Sequence, residues 1–149
     1  MKLKKRLNLK EKREKIKQII NLVNDYFSVE CNIANRKRGV ILPRQIAIYL
    51  ITENIVIGTA EIGKMFKGRS NKHLGHATII HNRDKIKDYL SINDKDITRH
   101  VNELKDDAKL ISEMNTEDLT KHKLRIEINE KLKSFDLQTL IDFNNKIAV

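Results

Sequence analysis

Residues 59–90 read TAEIGKMFKGRSNKHLGHATIIHNRDKIKDYL, and the fold turns on how this stretch is parsed. Thr59 is placed to cap a short helix, Ala60 to Phe66, with Ile62 and Phe66 inward. Lys67 to Gly75 is polar and basic, and is expected to be a flexible connection. A longer helix follows, from His76 to Leu90, in which Ile79, Ile80, Ile86 and Leu90 recur on one face. Its first turn, Gly75-His76-Ala77-Thr78, is small and polar. The resulting order is short helix, loop and longer helix with an unobstructed leading edge.

One part of the stretch is a decoy. Gly58-Thr59-Ala60-Glu61-Ile62-Gly63-Lys64-Met65 nearly spells a phosphate-binding loop. Met65 stands where a hydroxyl would have to reach a magnesium ion, and no parallel strand-helix-strand pattern follows. Nucleotide binding is not expected.

Upstream, a helical pattern runs from Glu11, with Ile16, Ile19, Ile20, Val23, Tyr26 and Phe27 at steps that share one face. Asn35-Arg36-Lys37-Arg38-Gly39 reads as a basic loop with a glycine stop. Pro43 then opens a helix, where its missing N–H costs nothing, and Ile46, Ala47, Tyr49 and Leu50 form the buried face. Downstream, Asp94 or Asp96 starts a helix with a narrow apolar seam, Ile97, Val101, Leu104, Ala108 and Ile111. Thr116 is placed to cap another, with Glu117 and Asp118 favourable against the helix dipole. Leu124 to Ile128 alternates and could be a strand, but no partner strand is evident and helix is favoured. Asp136 caps a last helix bearing Leu137, Leu140, Ile141 and Ile147. The expected fold is all-α: a basic arm over residues 1–14, a helix-turn-helix domain over 15–111, and a helical tail over 112–149.

Net charge is +10 and is unevenly distributed. Residues 1–15 carry eight Lys/Arg against two acids, residues 16–90 twelve against six, and residues 91–149 ten against twelve. The positive excess lies in the first ninety residues, so a polyanion is expected to meet that part, nucleic acid ahead of an acidic membrane. The apolar stretches are too short to span a bilayer, the N-terminus lacks the apolar core of a signal peptide, and Cys31 is the only cysteine. A cytoplasmic, nucleoid-associated protein is expected.

No site for chemistry stands out. His73, His76, His81, His100 and His122 match no zinc spacing, and no nucleophile, paired carboxylates or cofactor motif is evident. No enzyme activity and no cofactor are expected. The positive signal is the leading turn of the His76 helix. His76 and Thr78 can hydrogen-bond base edges, the Ala77 methyl can touch a thymine methyl, and Gly75 lets the backbone approach.

At these residues the chain resembles a family. Ile41-Leu42-Pro43-Arg44-Gln45-Ile46-Ala47-Ile48-Tyr49-Leu50, then Glu61-Ile62-Gly63-Lys64-Met65-Phe66, then Gly75-His76-Ala77-Thr78-Ile79-Ile80-His81 are similar to the C-terminal DNA-binding domain of the bacterial replication initiator DnaA. The resemblance covers roughly residues 15–111 and implies an all-helical fold with a helix-turn-helix of the Trp-repressor type. It also implies that His76, Ala77 and Thr78 read the major groove. The family's basic loop falls on Asn35 to Arg38. Arg36 is the nearest match to its minor-groove arginine, flanked by Lys37 and Arg38, and a narrow A·T minor groove favours such a cation. Arg44 and Lys85 would hold phosphates, and the longer loop before the second helix adds Arg69 and Lys72. Gly75 replaces the family's aspartate, and Asn82 replaces a small residue. Only residues 1–14 precede the similar region, so the initiator's ATPase work is not expected. A phage or mobile-element regulator of replication or transcription is. The expected partners are double-stranded DNA, a second copy through the tail, and replication proteins. A second reading, supported by Gly75 and Asn82, is a protein-interaction module that no longer reads bases. Structured RNA is a weaker third, given few exposed aromatics.

Overall fold

A computed structural model describes residues 8–133. They form six α-helices: α1 (Leu9–Phe27), α2 (Arg38–Asn54), α3 (Thr59–Gly63), α4 (His76–Ser91), α5 (Lys95–Glu113) and α6 (Thr116–Lys133). Among the described residues no strand occurs, only an isolated antiparallel bridge between Lys67 and His73. The first five helices build one compact unit, and α6 belongs to a second that begins at Met114.

α1 starts earlier than its apolar pattern. Asn8 Oδ1 accepts from the Glu11 N–H at 2.8 Å, and the Glu11 carboxylate accepts from the Asn8 N–H at 3.2 Å. This reciprocal capping box satisfies two donors that a helix start otherwise leaves open. Leu9 and Lys10 are therefore helical as well as the stretch read from Glu11, and α1 takes in residues 9–14 of the expected basic arm. Residues 1–7 of that arm lie outside the described residues. Ile16, Ile19, Ile20 and Val23 are buried as the spacing predicts, and Ser28 ends the helix at φ 54°.

α2 departs from expectation at both ends of its first turns. It begins at Arg38, and Gly39 stops nothing, because it is the second helical residue. Pro43 lies inside the helix rather than at its start. The bond it deletes is the one to the carbonyl of residue 39, in the opening turn. Gly39 is exposed, so water can reach that carbonyl. Further along, Ile46, Ala47, Ile48, Leu50 and Ile51 are all buried. That is too wide an apolar surface for one stripe, and α2 accordingly packs against α1, α4 and α5 at once.

Asp94 caps α5, its carboxylate accepting from the Ile97 N–H at 3.0 Å. The predicted seam Ile97, Val101, Leu104, Ala108 and Ile111 is buried throughout and packs across α1, α2 and α4. Its other end is closed by a neighbour. Lys15 of α1 is buried, and its ammonium donates to the Ser112 carbonyl, one of the last acceptors of α5. Tyr26 and Phe27, at the end of α1, pack edge-on against His100 of α5.

In the second unit the side chain of Asn115, the residue before α6, accepts from the Asp118 N–H at 2.8 Å and so caps the helix. The alternating Leu124 to Ile128 is helical. Leu124, Ile128 and Leu132 are exposed at four-residue steps. The helix expected from Asp136 lies outside the described residues.

Candidate nucleic-acid interface

The end of α3 meets, backbone to backbone, the segment that leads into α4. The Leu74 N–H donates to the Gly63 carbonyl and to the Phe66 carbonyl, each at 3.2 Å. A β-carbon at Gly63 would stand 2.1 Å from the Leu74 carbonyl oxygen, so only glycine permits this approach. Ile62, Phe66 and Ile79 are buried around the contact. The apposition sets where α4 starts and in which direction it leaves. No strand precedes Gly58, and α3 spans only Thr59–Gly63, so the resemblance to a phosphate-binding loop has no structural counterpart.

The connection between the two helices is a hairpin, not the flexible link that its composition suggested. Lys67 bridges His73, and the Gly68 N–H donates to the Lys72 carbonyl at 2.7 Å. Ser70 and Asn71 turn the chain at φ 57° each. Asparagine tolerates the left-handed region better than most residues, and serine is small. The Lys67 N–H donates to the Asn32 carbonyl at 2.9 Å, which ties the hairpin to the loop between α1 and α2. The two basic segments, far apart in sequence, are thereby joined. Arg69, Lys72 and His73 project from the hairpin into solvent.

α4 begins as predicted, with Gly75 as its N-cap and His76, Ala77 and Thr78 exposed. Gly75 has φ −77°, and a β-carbon there would meet nothing within 4 Å. The glycine is therefore not demanded by the fold. The first turn of α4 carries no acidic residue. Glu61, the nearest carboxylate on α3, is held by Arg13 at 2.9 Å and Lys64 at 3.0 Å. These partners draw its pKa below the ordinary carboxylate value, Arg13 having the larger effect. Lys85 is exposed further along α4.

Asn82 is 8% exposed, and its side-chain oxygen accepts from Gln45 of α2 at 3.4 Å. It belongs to the α2–α4 contact rather than to the exposed face. Its departure from the family pattern thus gives no support to the reading without base recognition.

Arg36 and Lys37 are exposed in the loop before α2, and Arg38 is exposed at the helix start. Arg44 is placed differently from the phosphate contact expected of it. It is 8% exposed. Its Nε donates to the Cys31 carbonyl at 2.8 Å, and one terminal nitrogen donates to the carbonyls of Ile33 at 2.5 Å and Asn35 at 3.0 Å. The planar, multi-donor guanidinium suits this role, and burial lowers its pKa. Arg44 supports the loop that presents Arg36–Arg38. The Pro43-Arg44-Gln45 motif as a whole turns inward: proline buried, arginine on loop carbonyls, glutamine on Asn82.

Two features of the site have contacts that the sequence does not signal. One is the buried Cys31, whose N–H donates to Asn24 Oδ1 at 2.8 Å and whose carbonyl receives Arg44. The other is Thr59. Gly58 takes the N-cap position of α3, so Thr59 is the first helical residue, and its hydroxyl is hydrogen-bonded to His76 Nδ1 at the tip of α4. Among the described residues no group of three His, Cys, Asp or Glu is placed to hold a metal ion, and no helix is long and apolar enough to cross a membrane.

A short helix locked by glycine to the start of a longer one, with the longer helix's first turn bare of acid and open to solvent, is a helix-turn-helix. Residues 16–86 match the family described as bacterial dnaA protein helix-turn-helix, and this segment has the fold of that domain. Similar proteins include chromosomal replication initiator proteins DnaA. That of Bdellovibrio bacteriovorus is 30% identical over 92 residues, 60% of this chain and 18% of the relative. That of Thermus thermophilus is 34% identical over 83 residues, 54% and 18% respectively. That of Thermomicrobium roseum is 40% identical over 55 residues, 37% and 11%. The matched stretch is thus less than a fifth of these relatives' own length.

Proposed function

We propose that the chain binds double-stranded DNA sequence-specifically, with the leading turn of α4 in the major groove and Arg36 in the adjacent minor groove. One observation carries this reading. Arg36, Lys37, Arg38, Arg69, Lys72 and Lys85 are all exposed, and none has an ion-pair partner among the described residues. Two other cations of α4 are matched, Lys87 with Glu53 and Arg83 with Asp84. Unmatched cations beside a tip without carboxylates are what a polyanion requires. His76 and Thr78 supply base contacts, Ala77 can meet a thymine methyl, and Gly75 leaves room for the backbone. Lys37 and Arg38 flank the minor groove, while Arg69, Lys72 and Lys85 take phosphates.

The relatives are named as replication initiators, which makes control of replication the nearer role and control of transcription the other. The exposed stripe Leu124, Ile128 and Leu132 supports a second copy of the chain at α6. Sedimentation velocity showing only monomer at high concentration removes that part.

The central test is selection of bound duplexes from a randomised pool at several salt concentrations. Enrichment of one motif is expected. If the five cations other than Arg36 meet phosphates, affinity falls with a log–log salt slope of about −4.5. Equal recovery of all sequences sinks the sequence-specific reading, and a flat salt response sinks the phosphate contacts.

A further inference from the structure

We propose that Thr59 is the positioning residue for base reading by His76, acting from α3 on the tip of α4; this rests on the major-groove reading above. An imidazole has two ring nitrogens and, unrestrained, can turn either toward a base. Here Nδ1 is engaged by the Thr59 hydroxyl. Nε2 is then the ring nitrogen left for a base edge, and the ring is held before DNA arrives. Holding it beforehand removes part of the ordering cost that an exposed side chain otherwise incurs on binding.

The local geometry makes the hydroxyl available. α3 has no side-chain cap bond, because Gly58 occupies its N-cap position. Thr59 sits one residue later and bonds not to its own helix start but to a residue far along the chain. The Gly63–Leu74 apposition brings the two helix starts together, so the contact depends on the same close approach that only glycine permits. A hydroxyl both donates and accepts. It can therefore hold either neutral tautomer of His76: Nε2 then donates to guanine N7 or thymine O4, or accepts from an adenine or cytosine amino group. Thr59 fixes which nitrogen faces the base, and the base selects the tautomer.

The experiment compares motif selection by the full chain with that by Thr59→Ala, Thr59→Ser, His76→Ala and the Thr59→Ala/His76→Ala double variant. His76→Ala is expected to erase preference at one base pair. Thr59→Ala is expected to weaken preference at that same base pair by about five-fold, the worth of one ordinary hydrogen bond, and to leave other positions alone. Thr59→Ser restores it, and Thr59→Ala adds nothing once His76 is gone. An equal loss of affinity for every sequence, an unchanged preference, or a Thr59 effect that persists without His76 overturns the proposal. The ring ¹⁵N resonances of His76 in the DNA-free chain give an independent readout. They should move in Thr59→Ala and return in Thr59→Ser, and unmoved resonances refute the contact whatever the DNA result. If the unaltered chain enriches no motif while the resonances do move, the DNA reading fails and the Thr59–His76 contact stands as a structural link only.

Discussion

The Leu74 carbonyl oxygen stands 2.1 Å from where a β-carbon on Gly63 would be. The atom in the way is backbone, so neither side can yield by a rotamer change. Gly63→Ala must push the Leu74 backbone away from α3 and disturb Ile79, whose side chain lies beside Gly63. A loss of about 1–3 kcal/mol is expected, as for other overpacked interiors. Urea denaturation followed by circular dichroism checks it. A stability within error of the unaltered chain would show that the helices are not in this contact.

Arg44 and Arg36 should part company under mutation. Arg44 serves three carbonyls, so Arg44→Ala leaves the buried Cys31 acceptor and two part-buried ones unmatched and should destabilise the fold by about 1–3 kcal/mol. Arg44→Lys should not rescue it, because an ammonium lacks the fork that reaches several carbonyls at once. Arg36→Ala should leave stability alone, weaken binding, and reduce its salt dependence, because one cation leaves the negative potential of the minor groove. Denaturation and salt-dependent binding measured on all three variants distinguish the roles. A reversed pattern would return Arg44 to the surface contact suggested by sequence.

Gly75 can be tested by addition. Its side-chain space is open and its φ is ordinary, so Gly75→Asp should fold normally. The carboxylate can cap α4, and relative to glycine this is worth only a few tenths of a kcal/mol. The effect on recognition should be larger, because a negative charge enters the proposed groove-facing turn beside His76. The enriched motif is expected to change at one base pair. An identical motif from both proteins would place that turn away from the bases.

Cys31 offers a pH-dependent check of the loop. Burial pushes its thiol from the ordinary 9.0 up to about 12, against the opposing effect of Arg44. A group raised in this way contributes stability below its unfolded pKa and loses it as pH climbs toward the folded value. Stability should therefore decline between about pH 9 and 12, and Cys31→Ala should flatten that part of the curve. Alkylation at pH 8 should be slow in the native chain and fast in urea, since the thiolate is the reactive form. Fast labelling without denaturant would mean that the α1–α2 loop opens readily.

The sequence by itself determined the helices and the leading turn of α4. Apolar residues at steps of three and four mark the buried faces of α1 and α5. Ile79 buried beside exposed His76, Ala77 and Thr78 follows from that spacing alone, because a helix converts linear order into direction. Tertiary structure decided what no local pattern holds. Arg44, read from its motif as a surface cation, is drawn inward because three loop carbonyls converge on it. Asn82 is buried because Gln45 lies across from it, and Pro43 is accepted inside α2 because the bond it removes lies in an exposed first turn. Thr59 meets His76, seventeen residues away, only because Gly63 lets two backbones touch. Hydrogen bonds between distant residues depend on how closely elements approach, and that distance is set by packing rather than by periodicity.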